Sequence, residues 1–425
     1  MPTARRVGQA LVVVVLATVL GLVALNLMPD RRELRGHVPT VLATSGPDFQ
    51  RSLAGLYGSN LLAGNRIETL SNGDRIFPAM LDAIRGAQVN VNFETYVYWS
   101  GTIADQFADA LIERAQAGIP VRVMMDWVGS VPIDAALVER MEAAGVHVVR
   151  FRPLNWYTLD RINNRTHRKL LIVDGRIGFT GGVGISDDWR GDARHPDEWR
   201  ENHYRITGPV VAMLQGAFVS NWVEDTGEIL QGPDFFPLLE AEGDAVAQLV
   251  VSSTGSRNYI HLMLMTALSA AEGRIRIATP YFVPDDIAIA QLLDARARGV
   301  EIDILVPGSQ TNKPPVRRAS RALWGPLLQA GVRIHEYQPT FVHAKLLVVD
   351  DVFASVGSTN FDERSFRLND EANLNVFDAG FAREQIAMFD VDLAQARPIT
   401  LAEWQSRPWQ DRLQDWAWSL LRTQL

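Results

Sequence analysis

Two stretches of this chain set an imidazole and an ammonium two residues apart, with a carboxylate five residues further on. THRKLLIVDGRIGFTGG carries His167, Lys169 and Asp174, and VHAKLLVVDDVFASVGS carries His343, Lys345 and Asp350. In an extended chain, residues two apart share a face, so each His and its Lys point the same way. Imidazole attacks electrophiles or carries protons near neutral pH, and a fixed ammonium beside it neutralises an anion. Random placement of these residue types gives about 0.004 such spacings per chain, and two are present. Of 41 basic residues only Lys169, Lys313 and Lys345 are lysine. A chain that otherwise writes its cations as arginine has placed two of its three lysines here, where a compact point charge serves better than a planar fork.

The elements that must position these residues repeat. GAQVNVNFETYVY from Gly86 matches EGRIRIATPYFVP around Gly273. AGIPVRVMMDW at Gly118 matches RGVEIDILVPG at Gly299, and AGVHVVRF at Gly145 matches AGVRIHEY at Gly331. Each is an apolar, β-branched run following a helix-ending Gly. The offsets of 187, 181 and 186 residues fit a duplicated α/β unit and are too long for a solenoid period. Each half reads as helix, strand, long helix, strand, shorter helix, strand and hairpin. Aligning WRENHYRI with RLNDEANLNV sets Glu201 opposite Glu371, 34 and 28 residues after the respective His. These are the carboxylates expected to orient the imidazoles, Glu201 on His167 and Glu371 on His343. Seven residues of strand carry Asp174 and Asp350 about 20 Å from the His, so they are expected to organise the hairpin turn.

The 425 residues suffice for two domains. The absence of cysteine removes thiolate nucleophiles, disulfides and Cys-ligated zinc, and no His/Asp/Glu cluster has metal-site spacing. A net charge of -8 without a basic run argues against nucleic acid as a partner. Residues 7–28 carry no charge and can cross a bilayer, so they read as an anchor. Arg5 and Arg6 before it and Arg31, Arg32 and Arg35 after it do not choose a side. At the other end Trp409, Leu413, Trp416 and Leu420 share a helical stripe, which fits either a membrane interface or packing on the second domain. Trp156, Tyr157 and Leu159 lie among arginines before the first motif. Lys313, in GSQTNKPPVRRASR with Arg317, Arg318 and Arg321, reads equally as a headgroup contact or as solvated surface. His203 is notable for lying two residues from Glu201.

The paired HxKxxxxD motifs, with VGSTNFDERSFRLNDEANL after the second, NNRTHRKLLIVDG around the first and WRENHYRITGPVV beyond it, resemble the phospholipase D superfamily, and within it the bacterial cardiolipin synthases. The resemblance implies two phospholipase D-like α/β domains, each a mixed β-sheet flanked by helices, forming a pseudo-dimer with one shared active site behind an N-terminal transmembrane helix. The expected divisions are 7–28 anchor, 29–60 juxtamembrane segment, 61–238 and 239–398 the two domains, and 399–425 a Trp-rich amphipathic helix. The implied chemistry moves a phosphatidyl group from one phosphatidylglycerol to another through a phosphohistidine, releasing glycerol, without cofactor or metal. One His attacks, the other protonates the leaving oxygen, and Lys169 and Lys345 hold phosphoryl oxygens; family practice leans to His167 as the nucleophile and counts Asp174 and Asp350 with the site. Ser358 and Asn360 fall in GSTN, where relatives use the Asn amide on phosphate, whereas the first half has Gly182 and Gly184 at these positions. Phosphate binding is therefore expected to lean on the second half. Competing readings are a hydrolytic phospholipase D, a membrane-tethered nuclease and an inactive lipid binder. The partners implied are phosphatidylglycerol and a cell membrane; no protein partner is inferred.

Overall fold

The helix-ending glycines act as their position suggests: Gly118, Gly145, Gly299 and Gly331 take φ of 83 to 94° and turn each helix into the next strand. This computed structural model describes residues 37–57, 60–153, 163–253 and 258–425, with positions 13, 14, 17 and 21. The anchor segment 7–28 otherwise lies outside the described residues, as do Trp156, Tyr157 and Leu159. Among the described residues no helix is long and apolar enough to cross a membrane.

The two halves share one strand order. From the centre outward, the first runs Leu62–Ser71, Asn202–Thr207, Ile177–Gly181, Leu170–Val173, Val91–Thr95, Val121–Asp126 and His147–Phe151. The second runs Ala245–Val251, Ala372–Phe377, Phe353–Gly357, Leu346–Val349, Arg274–Ala278, Glu301–Pro307 and Arg333–Tyr337, with Ala396–Ile399 added at its edge. The outer three strands of each repeat are parallel, joined through helices, and the inner four are antiparallel. Leu62–Ser71 pairs antiparallel with Ala245–Val251, so both halves form one 15-stranded sheet. One apolar cluster spans them, from Leu170, Phe218 and Trp222 to Val348, Leu374 and Phe389.

Three features depart from the expected pattern. The third helix of the second half, Pro314–Gln329, exceeds its predecessor Asp286–Ala297 in length, and the C-terminal helix packs along it. The helix Pro47–Leu56, within the segment read as juxtamembrane, buries Phe49 and Leu53 in the core of the second half. The C-terminal helix Trp409–Ser419 buries a charge: Asp415 is 1% exposed and pairs with Arg407, Arg318 and Arg321. Its apolar stripe faces outward, with Trp409 68%, Trp416 56% and Leu420 63% exposed. The helix therefore packs on the second half while presenting apolar side chains on the opposite face.

The motif aspartates brace the sheet. Asp174 and Asp350 sit at the hairpin turns in the left-handed region, φ 55° and 46°. Asp174 accepts backbone N–H bonds from Gln88, Val89 and Asn90 at 2.7 to 3.1 Å. Asp350 accepts from Glu272, Gly273 and Arg274 at 2.7 to 3.0 Å, and from the Thr44 hydroxyl. Each ties its hairpin to the junction that opens the neighbouring strand. Asp350→Ala strands three backbone N–H donors and the Thr44 hydroxyl and puts Ala in a strained conformation, so it should cost on the order of 3 kcal/mol. A urea titration should register that loss, while the folded fraction keeps most of its turnover; turnover lost without destabilisation would instead place Asp350 in the chemistry.

Candidate active site

Each motif His lies just before its strand rather than on it, because the extended segment carrying it leaves the hairpin to pair across the halves. Arg165–Thr166–His167 bridges to Asp370: the Asp370 N–H donates to Arg165 O at 2.9 Å and the His167 N–H to Asp370 O at 2.8 Å. In the mirror arrangement Arg200 N–H donates to Phe341 O at 2.9 Å and His343 N–H to Arg200 O at 2.7 Å. Each His thus abuts the segment holding the other half's glutamate.

The pairing of imidazole and carboxylate is consequently crossed, correcting the within-half assignment. His167 Nδ1 lies 2.9 Å from both carboxylate oxygens of Glu371, and His343 Nδ1 lies 2.5 Å from Glu201 Oε2. All four residues are buried. Glu371 is itself fixed by the Ser358 hydroxyl at 2.5 Å and the Asn369 amide at 3.2 Å. Ser358 therefore orients the carboxylate behind His167. In the first half a Cβ on Gly182 would fall 2.2 Å from Glu201 Oε2, so Glu201 occupies the space a serine would need. A Cβ on Gly184 would fall 2.7 Å from Val97 Cβ and 3.1 Å from the Trp189 ring. Val97 and the Trp189 indole thus leave no room for an Asn side chain at this position. Asn360 is buried, and its Oδ1 has no hydrogen-bond partner among the described residues.

The lysines lie with their histidines. Lys169 Nζ donates to the His167 carbonyl at 2.7 Å, and Lys345 Nζ reaches the His343 ring at 2.8 Å and Glu201 at 3.7 Å. Burial lowers Lys169 to about 7 and Lys345 to about 8. Burial also lowers His167 to about 4, opposed by Glu371, whereas His343 is driven well below its usual range by burial and then by Lys345 and Lys169. The carboxylates diverge too. Burial raises Glu201 to about 7, while for Glu371 burial is outweighed by His167 and Lys169, which hold it low. The two pairs are thus electrostatically unequal: burial raises the carboxyl behind His343, whereas the carboxyl behind His167 is held low.

Both histidines border one cavity of about 280 Å³, together with Lys169 and Lys313. Aromatic rings wall it. Tyr96 stands edge-on to His167 at 5.2 Å, Trp189 edge-on to His343 at 5.3 Å, and Trp199 also at 5.3 Å from His343, with Tyr281 beyond. Sequence reasoning did not single out these four. Their signal was positional, since Tyr96 and Tyr281 follow the matched strands and Trp199 lies in the WRENHYRI stretch. His203 is buried with neither ring nitrogen hydrogen-bonded among the described residues, and burial and Lys169 lower it to about 3. Of the other histidines, His37, His195, His261 and His335 each face an aspartate, and His147 stacks edge-on against Trp222.

A duplicated α/β unit with paired His/Lys motifs meeting at one cavity defines a phospholipase D-type phosphotransfer fold. Residues 264–393 match the family described as "Cardiolipin synthase, PLD-like domain". The chain is 34% identical over 366 residues to cardiolipin synthase 2 of Bacillus anthracis, covering 85% of this chain and 71% of that protein. It is 33% identical over 357 residues to cardiolipin synthase A of Pseudomonas syringae pv. syringae (strain B728a), covering 83% and 74%. Among solved structures, the phosphatidylserine synthase of Haemophilus influenzae Rd KW20 superposes with a TM-score of 0.68 at 14% identity, covering 89% of this chain and all of that one, a likeness of fold. The chain belongs to the cardiolipin synthase family of phospholipase D-type phosphatidyltransferases.

Proposed function

We propose that this protein makes cardiolipin from two molecules of phosphatidylglycerol through a phosphohistidine. The observation carrying this reading is the pair of crossed His–Glu contacts opening on one cavity. His167 Nε2 attacks phosphorus, the bond to the glycerol oxygen breaks, and the His343–Glu201 pair gives that oxygen its proton. The hydroxyl of a second phosphatidylglycerol then loses its proton to His343 and attacks phosphorus. The N–P bond breaks, leaving cardiolipin, glycerol and neutral His167. Lys169 and Lys345 neutralise the phosphoryl oxygens throughout. His167 suits the nucleophile because its carboxylate stays ionised, and His343 suits the acid because a proton is kept in its pair near neutral pH. Asn360 is the second half's candidate amide donor to phosphate.

The test is product analysis by mass spectrometry after the protein is placed in phosphatidylglycerol bilayers. Cardiolipin with stoichiometric glycerol is expected. Phosphatidic acid alone would make the enzyme a hydrolase using the same residues.

The same reading gives the outward stripe of the C-terminal helix a bilayer as its occupant. Burying Asp415 while exposing Trp409, Leu413, Trp416 and Leu420 is inverted for a helix meeting water, and Trp belongs at headgroup depth. The chain end also leads back to the site, since Leu425 packs on the cluster of Tyr281 and Phe341 beside the cavity. Trp409→Ser with Trp416→Ser should weaken flotation with phosphatidylglycerol vesicles at least tenfold for chains lacking residues 1–36, compared with the same truncation carrying both tryptophans. Equal flotation would assign the stripe another role.

A further inference from the structure

All three lysines of this chain are gathered at one place. Lys169 and Lys345 belong to the motifs, and Lys313, distant in sequence, borders the same cavity as His167, Lys169 and His343. Its ammonium stands over the Tyr281 ring, 5.1 Å from the centroid. The buried Tyr281 also donates its hydroxyl proton to Asn312 Oδ1 at 2.7 Å, fixing the loop that carries the lysine.

The arginines that follow Lys313, in the helix that begins at Pro314, are already paired. Arg317 pairs with Glu336, Arg318 with Asp411 and Asp415, and Arg321 with Asp415. Among the described residues, Lys313 has no carboxylate within ion-pair distance. Val128, Val131 and Pro132 give the cavity an apolar part of its lining. Among the described residues that line the cavity, Lys313 is therefore the cation outside the two motifs, contributed by the second half.

We infer that Lys313, with Asn312 and Tyr281, forms a second anion subsite that takes the phosphodiester of the acceptor lipid. This rests on the transferase reading and deepens it. Transfer between two phosphatidylglycerols brings two phosphodiester anions into one cavity. The first is neutralised by Lys169 and Lys345, and the second needs its own cation or is repelled by the first. A neutral alcohol acceptor has no such need. Lysine over a tyrosine ring supplies a compact charge whose stem stays ordered when the ligand is absent.

The experiment compares wild type, Lys313→Ala and Lys313→Arg, with phosphatidylglycerol as donor and either phosphatidylglycerol or ethanol as acceptor. Lys313→Ala should lose at least ten times more kcat/KM with the anionic acceptor than with ethanol, mainly through acceptor KM, and Lys313→Arg should recover most of it. Equal loss with both acceptors, or none with either, overturns the subsite. A second measurement is independent of turnover. Titration with inorganic phosphate should show two sites per wild-type chain and one in Lys313→Ala, whereas a single site in wild type overturns the subsite even if transfer itself is absent. A wild type that binds two phosphates but transfers to no alcohol would instead defeat the transferase reading while keeping the subsite.

Discussion

His167→Ala and His343→Ala are each expected to lower cardiolipin formation about 10⁴-fold, and the double variant to be scarcely worse, because the two rings act as one unit. The nucleophile and the acid are separated by the leaving group. A phosphatidyl ester of p-nitrophenol departs without protonation, so His343→Ala should regain rapid release of the phenol and accumulate phosphoryl adduct on a His167 peptide. His167→Ala should regain neither. The opposite pattern would exchange the two roles, and rescue of both variants would remove the covalent intermediate. The expectation follows from the unequal carboxylates: Glu371 stays ionised behind His167, while burial keeps a proton on the Glu201 side up to about pH 7.

What could be read in advance was local or periodic. The spacing of His167 to Lys169, the helix-ending glycines and the matched strands are short-range signals, and the repeat made three strands and a hairpin readable in each half, whereas the order of seven strands comes from long-range pairing. Strand length alone placed Asp174 and Asp350 at the hairpin turns, away from the imidazoles, while their bonds to the neighbouring strand's junction were not readable. The crossing of Glu201 and Glu371 was not readable, because it depends on the backbone bridges of Thr166 to Asp370 and Arg200 to Val342, contacts more than 140 residues apart. A within-half alignment identifies the right carboxylates and still assigns each to the wrong ring. The same limit hid the helix Pro47–Leu56 in the core of the second half. Nor does an amphipathic pattern say which face meets the protein: only the ion pairs of Asp415 with Arg318, Arg321 and Arg407 turn the tryptophans outward.

The crossed pairing makes its own prediction. Glu371→Gln should lower kcat about 10³- to 10⁴-fold while phosphate binding persists, since a neutral amide behind a catalytic imidazole neither stabilises imidazolium nor enforces the tautomer that leaves Nε2 unprotonated. The sign with pH can be worked out. Burial is the largest influence on His167 and lowers it to about 4, and the Glu371 charge opposes that shift. Removing the charge lowers the ring further, so the acid limb of the residual kcat/KM, which reports the free enzyme, should move to lower pH. The ¹⁵N resonances of the rings then distinguish crossed from within-half pairing. Glu371→Gln should perturb Nδ1 of His167 far more than that of His343, and Glu201→Gln should do the reverse, because His343 Nδ1 faces Glu201 at 2.5 Å. Were Glu201→Gln to shift His167 instead, each half would orient its own imidazole, and the bridges between the halves would be structural without setting the protons of the site.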